Sequence, residues 1–172
     1  MIAIVGPDDL GRADAASLAA LLGQRRMVLA VGGAVIEGWG AAMVLHSDFA
    51  AVPEGAILRL DSAAAWGGAF WRIGPRAARF HFRGERAIPA GAALEAGLCD
   101  ALVPAGRDPI DWAREWLAGR SSLALSSAAE LLRSRGGDPL ERAEFARLFA
   151  AGEPQEGLDA FLRKRPARWK EG

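Results

Sequence analysis

Tyrosine is absent from the sequence, cysteine occurs once and histidine twice. A lone Cys99 excludes an internal disulfide and suits a reducing compartment. Two histidines and one cysteine are too few for the usual zinc-ligand sets, so no metal is expected. Charge of one sign is also missing. Lys plus Arg total 21 and Asp plus Glu total 21, which leaves no broad basic field of the kind that binds nucleic acid. No apolar run approaches the roughly 20 residues that span a bilayer. The opening MIAIVGPDDLG has no basic stretch followed by a long apolar one, so it does not read as a signal peptide. These absences predict a cytoplasmic protein with neither nucleic acid nor membrane as partner.

What is present is ordinary globular composition, 51% hydrophobic and 24% charged, over 172 residues. That length fits one compact domain with a core of its own. MIAIVG (1–6) reads as a short strand ended by Gly6 and Pro7. Asp14 to Gly23 reads as a helix with an aspartate cap and a glycine stop. Met27–Val31 predicts a buried strand, and a helix is expected over Ala41–His46. Short strands are expected at Phe49–Val52, Ala56–Leu60 and Leu98–Val103, with helices over Pro75–Phe82 and Pro89–Ala96. The last third is helical: Asp108-Pro109 and Asp138-Pro139 each offer an N-cap followed by proline, and Glu153-Pro154 opens a final helix. The pattern is α/β, with a strand-rich part over 1–104 and a helical part over 105–172.

The chemistry-bearing feature is the order strand, glycine-rich turn, helix: MVLAV, then GGAVIEGWG, then AAMVLH. Such a turn aims backbone N–H groups at a negative oxygen, either a phosphate or a carbonyl oxygen on which charge develops. The spacing is neither GxGxxG nor GxxxxGK[ST], and no lysine follows. A tight turn that only packs helix on strand fits the local pattern equally well.

Three longer stretches carry a resemblance. VLAVGGAVIEGWGAAMVLHSDFAAVPEGA (28–56), WGGAFWRIGPRAARFHFRGERAIPAGAALEAGLCDALVP (66–104) and EPQEGLDAFLRKRPARWKEG (153–172) resemble, in order, segments of the crotonase (enoyl-CoA hydratase/isomerase) superfamily. The resemblance implies a spiral of ββα units, shortened at the N-terminus, with a helical C-terminal region. It implies an acyl-CoA partner, with coenzyme A carried by the substrate and no separate cofactor. It further implies a homotrimer or hexamer, or a complex with another crotonase-fold subunit. Members stabilise a thioester enolate with two backbone N–H groups, while one or two carboxylates move protons or activate water.

Carried over by position, Gly38, Trp39 and Gly40 fall on the family's GGG, so the Trp39 N–H takes one oxyanion-hole place. The other falls on the Val5–Leu10 stretch: Pro7 has no N–H to give, whereas Asp8 does. The acid of the GGGxE pattern falls on Ala42, which cannot move a proton. The second family carboxylate falls on Asp61 or Ser62 according to where the gap is placed. Asp61 is the expected base, beside its alternative as a solvated turn aspartate. Gly38, Gly40, Trp66, Gly67 and Gly68 are expected around the pocket, and Lys164 and Arg165 at the coenzyme A phosphates. The basic run Arg163, Lys164, Arg165, Arg168, Lys170 suits phosphate equally with a solvated helix end. Glu37 is expected to face solvent, His46 and His81 to be satisfied structural histidines, and Cys99 a packing residue. Two functions follow from this: an acyl-CoA hydratase or isomerase with altered chemistry, or a non-catalytic relative serving as a binding or assembly subunit.

Overall fold

A computed structural model describes residues 2–24, 26–83, 87–134 and 137–169. The chain divides into two compact units. The larger spans 3–24 and 28–113; the smaller is built chiefly from Arg114 onward.

In the larger unit, strands leave one another through helices and alternate between two sheets. β1 (Ala3–Val5) is followed by α1 (Pro7–Gly11) and α2 (Ala15–Leu22). Next come β2 (Val28–Val31), β3 (Val35–Ile36) and α3 (Gly38–His46), and then β4 (Phe49–Pro53), β5 (Ile57–Arg59) and α4 (Ala63–Arg83). β6 (Ala87–Pro89), α5 (Ala90–Glu95) and β7 (Ala101–Val103) complete it, with α6 (Pro109–Leu117) running across the boundary. One sheet has the order β1-β2-β4-β7 and is parallel throughout. The other has the order β3-β5-β6, parallel at β3–β5 and antiparallel at β5–β6. Two successive strand-strand-helix turns, β2-β3-α3 and β4-β5-α4, place one strand in each sheet. This is the expected ββα spiral.

The core explains the unbroken apolar strands. Leu29, Ala30 and Val31 of β2 are fully buried because parallel sheets are covered on both faces. α3 is buried from Gly40 to Leu45, so its GWGAAMVLH sequence carries no charge before His46. Full burial of Leu45 alone contributes about 2 kcal/mol.

Several boundaries differ from the sequence reading. α1 forms where Gly6-Pro7 reads as mere punctuation: Pro7 is a good first helical residue, and Asp9 accepts from the Gly6 N–H at 3.2 Å. α3 starts at Gly38, and the two-residue β3 lies inside the glycine-rich turn. α4 begins at Ala63 and is kinked where Gly74 takes φ +74°, ahead of Pro75. A strand, β6, occupies Ala87–Pro89, and the helix expected from Pro89 starts one residue later, at Ala90.

The smaller unit holds α7 (Ser122–Ser134), α8 (Asp138–Ala151) and α9 (Glu153–Leu162). Gly152, at φ +85°, closes α8 in the left-handed conformation and lets α9 start at once.

Candidate functional site

The site is built around the first turn of α3. The opening N–H groups of a helix have no acceptor within it. Here the first is taken from outside: the Gly38 N–H donates to Asp61 Oδ1 at 2.9 Å, across 23 residues. The next residue of the β5–α4 connection holds the same residue at its carbonyl. Ser62 Oγ donates to the Gly38 carbonyl at 3.4 Å and accepts the Ala65 N–H at 3.1 Å, capping α4. Gly38 sits at φ +55° with nothing within 4 Å of where a Cβ would stand. Glycine is required there by conformation alone.

Beside this turn lies a groove of about 330 Å³. Pro7, Leu10 and Gly11 of α1 line one part of it, together with Ala13. Gly33, Val35, Ile36, Glu37, Gly38, Trp39 and Gly40 line the rest. The groove is thus walled by the chain leaving β1 and the chain leaving β3. Its tight point is Gly40, where a Cβ would come within 2.7 Å of the Leu10 carbonyl oxygen. Gly40 therefore lets α1 lie directly on α3. Trp39 lines the groove and is 41% exposed.

The structure thus gathers Gly38, Trp39 and Gly40 in one groove and bonds Asp61, not itself a lining residue, to the Gly38 N–H. Asp8 is exposed on α1 next to the groove-lining Pro7 and is not itself among the lining residues. Glu37 is exposed and pairs with Arg59 at 3.5 Å. Ala42 is fully buried inside α3.

Trp66, Gly67 and Gly68 lie apart from the groove, on α4 against the far half of α3. A Cβ on Gly68 would fall 2.5 Å from that of Leu45, and one on Gly67 would stand 3.6 Å from His46 Nε2. The pair of glycines serves close helix packing. His46 is half-buried with Nε2 3.3 Å from the Ala64 carbonyl oxygen. Burial pushes its pKa below the usual histidine value, a shift the Ala64 carbonyl opposes and Arg72 assists.

The sequence reading passed over Arg72. Its side chain is nearly buried, and its Nε reaches the Leu45 carbonyl at 3.0 Å while Nη2 reaches that of Ser47 at 2.9 Å. Nη1 meets Asp100 at 2.9 Å, and the same Asp100 oxygen accepts the Ala50 N–H at 2.7 Å. One arginine therefore closes the last turn of α3 and ties it to β4. The signal for it in the sequence is the one charge in the otherwise apolar first half of α4, AAAWGGAFWRI. Burial pushes the Cys99 thiol up to about 11, which keeps it protonated and unreactive at neutral pH.

In the smaller unit, Arg165 is held by two carboxylates, Glu156 at 2.7 Å and Asp159 at 2.6 Å. Lys164 is exposed beside it at φ +50°. Lys170 of the basic run lies outside the described residues. Among the described residues no cluster of His, Cys, Asp and Glu is arranged to hold a metal ion. No described helix is long and apolar enough to cross a membrane.

No family model matches the sequence, and no curated protein does. Solved structures do match. An enoyl-CoA hydratase/isomerase family protein from Hyphomonas neptunium is 26% identical, with 93% of this chain aligned to 67% of that one and a TM-score of 0.72. An enoyl-CoA hydratase from Polaromonas sp. JS666 is 20% identical over 95% of this chain and 68% of its own, also at 0.72. A subunit I structure from Geobacillus kaustophilus HTA426 is 18% identical, covers 97% of this chain and 80% of its own, and has a TM-score of 0.73. The chain spans about two thirds of the length of the first two. The chain has the fold of the enoyl-CoA hydratase/isomerase, or crotonase, structures, over a shorter length than theirs.

Proposed function

We propose that the groove binds the thioester end of an acyl-CoA, with the Trp39 N–H directed at the thioester oxygen. The observation that carries this reading is the coincidence of the Gly38-Trp39-Gly40 turn, at the start of a buried helix, with an open groove in a crotonase fold. An N–H at that point adds the positive end of the helix to its own dipole. A donor aimed at a developing oxyanion is worth about 3–4 kcal/mol in a site sheltered from water. The Asp8 N–H, one residue beyond the lining Pro7, is the second donor of this reading. Asp61 is its carboxylate: Oδ1 holds Gly38 and Oδ2 is left to take or return a proton. In the smaller unit the charge of Arg165 is already matched by Glu156 and Asp159, so Arg165 carries no phosphate role in this reading.

The test is turnover of a panel of enoyl-, dienoyl- and β-ketoacyl-CoA thioesters, with Asp61→Asn beside the wild type. Turnover lost in the variant with acyl-CoA affinity retained supports the assigned proton transfer. No turnover of any member at high protein concentration removes the catalytic part.

A second reading has its own observation. Ala42 stands fully buried where the family pattern has an acid, and in the smaller unit Phe145, Leu158, Phe161 and Leu162 are all at least 60% exposed. A non-catalytic subunit that assembles through such a face accounts for both. Sedimentation decides it: a monomer with no affinity for other crotonase-fold subunits removes this reading.

A further inference from the structure

The groove's most specific feature is the grip on one residue, Gly38, through the two peptide units that flank it. Asp61 and Ser62 are adjacent, and both reach Gly38, one at its N–H (2.9 Å) and one at its carbonyl (3.4 Å). Ser62 is itself fixed, because its Oγ accepts the Ala65 N–H at 3.1 Å at the start of α4. That leaves its single proton for the Gly38 oxygen. The carbonyl of Gly38 and the N–H of Trp39 belong to the same peptide plane. In a trans peptide they point to opposite sides. Whatever fixes the Gly38 carbonyl therefore fixes the direction of the Trp39 N–H.

Glycine makes such a grip necessary. At φ +55°, with open space around its missing Cβ, Gly38 has no side chain to hold the turn. A hydrogen bond accepted by the carbonyl also polarises its peptide and strengthens the N–H as a donor. We infer that Asp61 and Ser62 form a clamp that aims the Trp39 N–H into the groove, acting as positioning residues through Gly38. The inference rests on the reading of the groove as a thioester site. It adds that the carboxylate acts first as a hydrogen-bond acceptor, a role an uncharged amide oxygen can fill.

The experiment uses the full chain and acetoacetyl-CoA labelled with carbon-13 at the thioester carbonyl. Affinity is read by calorimetry and carbonyl polarisation by the infrared stretch of the bound ligand, in wild type, Asp61→Ala, Asp61→Asn, Ser62→Ala and Ser62→Thr. The wild type is expected to lower the stretching frequency on binding. Asp61→Ala and Ser62→Ala are expected to lose most of that shift and about ten-fold in affinity, the scale of one hydrogen bond. Asp61→Asn and Ser62→Thr, which keep an acceptor and a hydroxyl, are expected to restore both. If the alanine variants do not fold, the conservative pair decides: a retained shift supports the clamp and a lost one overturns it. Wild-type shift and affinity in both alanine variants overturn the clamp while leaving the thioester site standing. An Asp61→Asn variant as impaired as Asp61→Ala overturns it in favour of a role for the charge. A wild type that binds without any carbonyl shift overturns the aim of the Trp39 N–H, and one that does not bind removes the thioester reading itself.

Discussion

Two glycines of the same turn are required for different reasons, and substitution separates them. Gly38 has room for a Cβ but sits at φ +55°; Gly40 has no positive φ but would place its Cβ 2.7 Å from the Leu10 carbonyl oxygen. Gly38→Ala is expected to destabilise by about 1–2 kcal/mol, the cost of the left-handed conformation. Gly40→Ala is expected to cost about 1–3 kcal/mol by forcing α1 off α3. Thermal and denaturant unfolding measure both. A neutral Gly40→Ala would mean that the two elements are not in direct contact. The sequence made these residues visible as a glycine cluster and placed Trp39 and Asp61 as candidates through the family pattern. It gave no sign of the bond between Gly38 and Asp61. That contact joins residues 23 apart through a backbone N–H, and a backbone donor leaves no trace in residue identity.

At the scale of elements, α3 depends on help at both ends. Its start is held by Asp61 and Ser62, and its end by Ser47 and Arg72. Arg72→Ala removes donors from the Leu45 and Ser47 carbonyls and leaves Asp100 without its cation. The expected loss is about 2–4 kcal/mol, read as a lower denaturant midpoint with an unchanged slope. A change below about 0.5 kcal/mol, the scale of an exposed pair, would contradict the role. Elements with strong local signals were legible. α2 begins at the Asp14 cap and stops at Gly23, with Ser17 N–H and Oγ both 2.7 Å from Asp14 Oδ1. α6 opens at Asp108 as expected, its Oδ1 accepting the Ile110 and Asp111 N–H groups at 2.9 Å, whereas α8 is capped by Gly137 and takes Asp138, the expected cap, as its first residue. The elements that escaped are short or contradictory. β3 is two residues set in a glycine-rich stretch, with Val35 exposed. β6 ends on a proline that also precedes a helix, and only its antiparallel pairing with β5 makes it a strand.

For the whole molecule, acid acts on the two units in different pH ranges. The folded pKa of His46 is lowered from 6.5 by burial. Its contribution to the larger unit is therefore present above about pH 6.5 and is lost as pH falls through the lowered value. Glu156 of the smaller unit is lowered from 4.5 to about 2 by Arg165 and the Arg168 N–H. That contribution is present above about pH 4.5 and is lost only as pH falls toward about 2. Thermal unfolding against pH is expected to show His46→Gln flattening the decline that starts below pH 6.5, and Glu156→Gln flattening the one below 4.5. Equal pH dependence in wild type and both variants would contradict the assignment.

The spiral of strand-strand-helix turns, the open groove and the Gly38-Trp39-Gly40 turn all bear on one claim, that this chain holds an acyl-CoA thioester. Calorimetric titration with acetoacetyl-CoA, a stable enolisable thioester, tests it most directly, with free coenzyme A as the control. The account predicts saturable binding that is stronger for the thioester than for free coenzyme A. Absence of binding at millimolar ligand, or equal affinity for the two, would contradict it.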